Sequence, residues 1–271
     1  MNVKLFVCCH KKDFCYSEGP YVPFQVGKAV NKVDLGIEAD DTGDNISEKN
    51  PWYCELTAQY WIWKNCKDED YVGLCHYRRY FDFKPSVFGR LRRYKFVNEA
   101  NLRNHIEVDD SFLSSVDVVT VTKQSFNVPS FLILCKNHIK DDVIELENII
   151  GDLYPEYLED YKFVINEENH YFPYNMIIAK KKIFDDYSKW LFDILFEFEK
   201  RISIPIDPYQ PRVFGFYSER LLYVYLRHHP EYKVKDFPVM QLIDKKNQPL
   251  ILLVVRNCVR NLVNFLYKKT I

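Results

Sequence analysis

Two short stretches of this 271-residue chain concentrate side chains able to act on an anion or a hydroxyl. The first is His76-Tyr77-Arg78-Arg79-Tyr80-Phe81. Adjacent arginines present planar forks that match phosphate oxygens, and a histidine beside them can hold or pass a proton. The second is Glu219-Arg220, the charged pair in an otherwise apolar and aromatic run from Val213 to Leu226. A carboxylate in such surroundings needs a partner or a task, and as a general base it could take the proton of an attacking hydroxyl. Its plainer role is a buried pair with Arg212 or Arg220 that holds the fold. Arg78 and Arg79 have a plain role too: Asp34 to Glu48 holds six acidic residues and no basic one, whereas His76 to Lys95 holds seven Lys or Arg against Asp82 alone. Within the acidic block, Asp44-Asn45-Ile46-Ser47-Glu48-Lys49-Asn50-Pro51 leads into a helix whose first N–H groups are open to an anion.

These groups require elements to position them. Val3 to Cys9 reads as a buried strand ending at the polar cluster His10-Lys11-Lys12-Asp13. Asn50 can cap a helix with Pro51 in its first turn, after which Tyr53, Leu56, Tyr60 and Trp63 fall on one face. Asp70 to Cys75 is strand-like and delivers the cationic, aromatic loop at its C-terminal end. Further strands are expected at Val116 to Thr122 and Tyr174 to Ala179, and helices at Asp141 to Gly151, Asp185 to Arg201 and Tyr217 to His228. Alternating strands and helices predict an α/β domain with a mostly parallel sheet, in which ligands bind beyond the carboxyl ends of the strands. From Lys245 to Ile271 there are six basic residues and no acid, interleaved with apolar ones. This pattern suits either a basic amphipathic helix on an anionic membrane or a terminal helix docked on the core.

A net charge of −1 with 47% hydrophobic residues excludes a disordered chain and a general polyanion binder, so no nucleic-acid partner is expected. The N-terminal apolar run is too short for a signal peptide, and no stretch has the length of a membrane span. The expected location is therefore cytoplasmic, with peripheral contact to the inner membrane through residues 245–271. The eight cysteines form no C-x-x-C pair and read as reduced core thiols.

The runs I-S-E-K-N-P-W-Y-C-E-L-T-A-Q-Y-W-I-W-K-N (46–65) and D-Y-V-G-L-C-H-Y-R-R-Y-F (70–81) carry a resemblance. With Y-N-M-I-I-A-K (174–180), D-Y-S-K-W-L-F-D-I-L-F-E-F-E-K-R (186–201) and R-V-F-G-F-Y-S-E-R-L-L (212–222), they look like the blocks of a bacterial family encoded in capsule, exopolysaccharide and O-antigen gene clusters. That family was formerly a domain of unknown function, and the likeness spans approximately residues 3 to 230.

The resemblance implies a GT-A-like, Rossmann-related glycosyltransferase domain over residues 1–235, with 236–271 as a basic tail. It implies transfer of a hexose, galactose first, from a UDP-sugar to a lipid-linked glycan acceptor. Val7, Cys9, His10 and Lys11 then become donor-site candidates, extended by Asp44, Asn45, Ser47, Lys49, Asn50 and Tyr77. The place of the usual metal-holding Asp-x-Asp is filled by His76-Tyr77-Arg78, so transfer without a cofactor is expected. Arg78 and Arg79 would take the charge of the leaving diphosphate, with His76 beside them. Asp68-Glu69-Asp70 spells the motif but precedes its strand, while Asp40, Asp41 and Asp44 keep a manganese site open. Glu219 is the candidate base. Tyr174, Asn175, His170, Arg212 and Arg220 are candidates for the sugar and acceptor, with Asp207 a weaker one. The competing reading is a non-catalytic carbohydrate- or nucleotide-binding subunit of a polysaccharide assembly complex.

Overall fold

A computed structural model describes residues 1–85, 94–97, 99–137, 140–203 and 212–242. In chain order its strands are β1 (Val3–Cys9), β2 (Tyr21–Gln25), β3 (Glu38–Ala39), β4 (Tyr71–His76), β5 (Arg79–Phe81), β6 (Tyr94–Val97), β7 (Val118–Val121), β8 (Gln124–Ser125), β9 (His170–Tyr171), β10 (Ile177–Lys180), β11 (Val234–Phe237) and β12 (Val239–Leu242). The helices are α1 (Asn50–Tyr53), α2 (Leu56–Asn65), α3 (Glu99–Ile106), α4 (Asp110–Ser114), α5 (Ser130–Asn137), α6 (Lys140–Leu153), α7 (Leu158–Lys162), α8 (Lys181–Arg201) and α9 (Val213–His228).

One mixed sheet organises the molecule in the order β11-β7-β10-β4-β1-β2-β3, with β5, β6 and β12 attached beside β4. β1 runs parallel to both β2 and β4, and Leu5 lies opposite Tyr21 and Gly73. β10 is inserted antiparallel between β4 and β7. The central strands read as nearly unbroken apolar runs because both faces of the sheet are covered. On one face Phe6, Cys8, Val72 and Leu74 pack with Leu56 and Ile62 of α2, Leu146 of α6 and Leu191 of α8. On the other, Leu5, Val7, Cys9 and Cys75 pack with Leu102 and Ile106 of α3 and Leu113 of α4. The expected stripe of α8, Tyr187 through Phe198, is buried along its length.

Four expectations change. The helix predicted from Asn50 breaks at Cys54, which has a left-handed φ of 54°. Asn50 is the first residue of α1, not its cap, and its amide donates to the Cys54 carbonyl (2.8 Å) and the Thr57 hydroxyl (3.2 Å). The strand expected from Tyr174 starts only at Ile177, because Tyr174 (φ 75°) and Asn175 (φ 51°) are left-handed. Residues 76–81 are not one loop: Arg79 pairs back onto His76, so β4 and β5 form a tight hairpin across Tyr77-Arg78. The sheet also continues past residue 235, since β11 pairs with β7 and β12 with β5 and β6. The basic segment 245–271 lies outside the described residues. Among the described residues no helix is long and apolar enough to cross a membrane.

At Gly73 strands β4 and β10 approach closely, since a Cβ there would sit 2.5 Å from the Ile177 carbonyl oxygen of β10 and 2.9 Å from the Ile178 Cα. Backbone cannot swing aside as a flexible side chain would. Gly73→Ala should therefore destabilise by about 1–3 kcal/mol, an overpacking cost. Thermal melting should show this as a midpoint lowered by about 2–5 °C.

Candidate functional site

A cleft of about 1150 Å³ opens where β1 and β4 end, facing the start of α9 and the turn before β10. His10 follows β1, His76 ends β4, Arg79 begins β5, and Glu219 and Arg220 face in from α9. β4 carries no side-chain choice between core and cleft until His76, because every earlier residue of the strand is buried. The hairpin then turns Tyr77, Arg78 and Arg79 toward the cleft. The Arg78 guanidinium donates to Asp13 from Nε (3.1 Å) and Nη2 (2.6 Å). Arg79 Nε donates to Gln241 Oε1 of β12 at 3.1 Å, and its guanidinium lies 4.5 Å from the centre of the Tyr174 ring. The positive charge is concentrated: burial lowers the pKa of His10, and Lys11, Arg212, His76 and Arg78 lower it further.

The Tyr174-Asn175 turn organises the opposite charges. The Tyr174 N–H donates to Glu219 Oε1 at 2.6 Å, and its carbonyl lies 2.8 Å from His76 Nε2. A carbonyl only accepts, so Nε2 carries the hydrogen and neutral His76 keeps Nδ1 as an acceptor. Burial holds the His76 pKa below its ordinary value; Arg79 and Arg212 act in the same direction, against Glu55 and the Tyr174 carbonyl. Asn175 Nδ2 donates to Glu55 Oε1 (2.8 Å) and the Gly215 carbonyl (3.0 Å), while its Oδ1 accepts from the Ser218 hydroxyl (2.8 Å). The second Glu219 oxygen accepts from Arg220 Nη1 at 2.9 Å. Burial pushes the Glu219 carboxyl up to about 7; Arg220, the Tyr174 N–H and Arg79 oppose the rise, and Glu55 adds to it. The Arg220 guanidinium lies 4.1 Å from the centre of the Tyr171 ring, on which Phe126 stacks at 5.0 Å.

Ten expected residues meet in this cleft: His10, Asn50, His76, Tyr77, Arg78, Arg79, Tyr174, Arg212, Glu219 and Arg220. Asn175 is buried beneath it. The others are placed elsewhere. Cys9 points to the opposite face of the sheet, with its sulfur 3.0 Å from that of Cys15, and strand alternation puts Cys8 at the cleft instead. Lys11 is exposed and does not line the cleft. Asp44 accepts from the Tyr60 hydroxyl (3.0 Å), and Asn45 accepts from the Ser47 N–H (3.2 Å). Ser47 donates its hydroxyl to Asp40 at 2.5 Å. Lys49 reaches away to Glu199 of α8, at 2.6 and 2.8 Å. His170 Nδ1 lies 2.9 Å from Glu168. Asp207 lies outside the described residues.

The buried member of the acidic block is used within its own loops. Asp40 is fully buried and accepts from the Gly27 (2.7 Å) and Lys28 (3.1 Å) N–H groups as well as from Ser47. Arg78 and Arg79 pair with Asp13 and Gln241 rather than with this block. Asp68-Glu69-Asp70 sits at the far end of β4: Asp70 accepts from the Asn2 N–H at 2.7 Å, and Glu69 lies 3.4 Å from Lys4. Among the described residues no group of three or more His, Cys, Asp or Glu is arranged to hold a metal.

The cleft also contains residues that the sequence reading passed over, notably Cys8, Cys54, Glu55, Phe126, Tyr171 and Gln241. Alternation along β1 puts either Cys8 or Cys9 at the cleft, and two apolar faces leave the phase unset. Glu55, an acid set among Tyr53, Leu56 and Tyr60, was open to the same argument as Glu219. Gln241 gave no signal, because it lies in a stretch read as appendage.

A mostly parallel mixed sheet with its polar groups gathered beyond the ends of β1 and β4 is an α/β fold of the glycosyltransferase kind. The likeness is specific: the apo structure of the bifunctional glycosyltransferase WbbM is similar with a TM-score of 0.82 and 30% identity, over 90% of this chain and 46% of that one. The chain thus spans about half the length of that protein. Residues 4–230 match the family described as a domain of unknown function, DUF4422, and the chain belongs to that family. No curated protein matches it.

The raised Glu219 pKa fixes a pH signature. Between the ordinary 4.5 and about 7 the folded state holds a proton that the unfolded chain has released, so stability falls as pH rises through this window. Glu219→Gln removes that loss. The variant should match wild type near pH 4 and exceed it above pH 7 by about 3 kcal/mol in denaturant titrations.

Proposed function

We propose that the cleft transfers a hexose, galactose first, from a UDP-sugar to a lipid-linked glycan acceptor in capsule, exopolysaccharide or O-antigen synthesis. The observation that carries this reading is the meeting, in one cleft, of the cations Arg78, Arg79 and Arg212 with the buried carboxylate Glu219. Likeness to a bifunctional glycosyltransferase supports it. The arginines accept the donor diphosphate in place of a metal. The acceptor oxygen bonds to the anomeric carbon as the bond from that carbon to the diphosphate oxygen breaks. The diphosphate leaves with the electron pair, and the hydroxyl proton passes to Glu219. On this reading the enzyme works at the cytoplasmic face of the inner membrane, where the 245–271 segment supplies the contact.

The Glu219–Arg220 pair favours a second reading, a carbohydrate- or nucleotide-binding subunit in which this pair only holds α9 in place. Thermal shift with UDP, GDP, CMP and their sugar conjugates, each with manganese or a chelator, separates the two when followed by turnover. Stabilisation by a UDP-hexose should survive chelation and be lost in Arg79→Ala; stabilisation only with manganese would overturn the arginine-based site. Glu219→Gln should retain donor binding and lose turnover by about 10²–10⁴-fold. Wild-type turnover should rise with pH through about 7, where Glu219 gives up its proton. A wild type that binds donor but never turns over would establish the binding subunit.

A further inference from the structure

Glu55 is a second carboxylate in the cleft, and it is held differently from Glu219. It stands at the corner between α1 and α2, just after the left-handed Cys54, so it belongs to neither helix face. One oxygen, Oε1, accepts from Asn175 Nδ2 at 2.8 Å. Asn175 is itself fixed by the Gly215 carbonyl and the Ser218 hydroxyl, and it is 4% exposed, so this anchor is rigid. Among the described residues, Oε2 takes no hydrogen bond and Glu55 forms no ion pair. Glu219, by contrast, has both oxygens engaged, one by the Tyr174 N–H and one by Arg220.

Glu55 lies between the two chemistries of the cleft, within electrostatic reach of His76 and Arg212 on one hand and Glu219 on the other. A carboxylate only accepts, and one oriented by a neutral amide keeps most of its accepting capacity. Its complement is a neutral, multiply hydroxylated ligand beside the diphosphate. A second anion would be repelled. Resting on the nucleotide-sugar reading above, we infer that Glu55 is the residue that reads the transferred hexose, accepting hydrogen bonds from its hydroxyls through Oε2. Glu219 is left to the acceptor.

A site built to accept from a hydroxyl discriminates strongly against the analogue that lacks it. The test uses full-length protein and the UDP-hexose that stabilises wild type most, titrated beside UDP alone and beside the set of its monodeoxy analogues. Glu55→Gln keeps the shape and the Asn175 contact but presents an amide. It should weaken UDP-hexose binding by about 10- to 100-fold, the worth of a charged hydrogen bond. UDP affinity should stay within about twofold, as expected when the diphosphate contacts are untouched. Wild type should bind one monodeoxy analogue more weakly by the same factor, and Glu55→Gln should not distinguish that analogue from the parent.

Equal weakening of UDP and UDP-hexose, or unchanged discrimination among the deoxy analogues in Glu55→Gln, would overturn the assignment. Glu55→Asp, which keeps the charge but withdraws it from the site, supplies the same readout should the glutamine variant melt early. Failure of wild type to bind UDP would instead overturn the nucleotide-sugar reading, and this assignment with it.

Discussion

The cleft depends on a two-residue turn that L-amino acids resist. Tyr174 and Asn175 both have positive φ, and for a tyrosine that conformation costs about 1–2 kcal/mol. The turn persists because the Tyr174 backbone and the Asn175 side chain are tied to their surroundings. The Tyr174 N–H and carbonyl bind Glu219 and His76, and the Asn175 amide binds Glu55, Gly215 and Ser218. The same contacts join the end of β4, the corner between α1 and α2, and the first half of α9. Strain in the backbone is thus balanced by the charges it orients, an arrangement found where geometry matters more than local stability.

The charges follow from burial. Arginine is almost never buried without company, and here Arg220 has an ion pair, a carbonyl and an aromatic stack. Its Nε has no hydrogen-bond partner among the described residues, so the compensation is incomplete. Glu219 shares that poor solvation and is held close to the point of losing its proton near neutral pH. The cations on the β4–β5 hairpin do not collapse onto the acidic stretch at 34–48, where Asp40 is committed to its own loop and Asp44 to Tyr60 of α2. What faces the cleft is therefore an excess of positive charge.

Much of this could be read from the sequence, and the misses have physical causes. Helix α8 was legible because a one-sided apolar stripe has only one way to be buried. The end of β4 was legible because a buried run meets a cationic one at His76. Cys9 was chosen over Cys8 because the alternation of β1 cannot be phased when both faces are apolar. Lys49 and Ser47 belong to a motif that builds a loop, and a motif does not say which of its side chains look inward. Glu55 stood out as an acid among aromatics, but its place at the cleft follows from the break at Cys54, where the Asn50 amide bonds the Cys54 carbonyl, and no periodicity records that corner.

The position of Gln241 also bears on how the protein comes into being. It steadies Arg79 from a strand 162 residues further along the chain, and among the described residues β12 joins the sheet by pairing with β5 and β6. During synthesis the nascent chain can form β1, β2 and β4 early, but β5 gains its second strand partner, β12, only when the last described strand has emerged. Contacts of such long sequence separation form slowly. The edge of β5 stays open throughout that interval, a surface on which a chaperone or a second unfinished chain could add a strand.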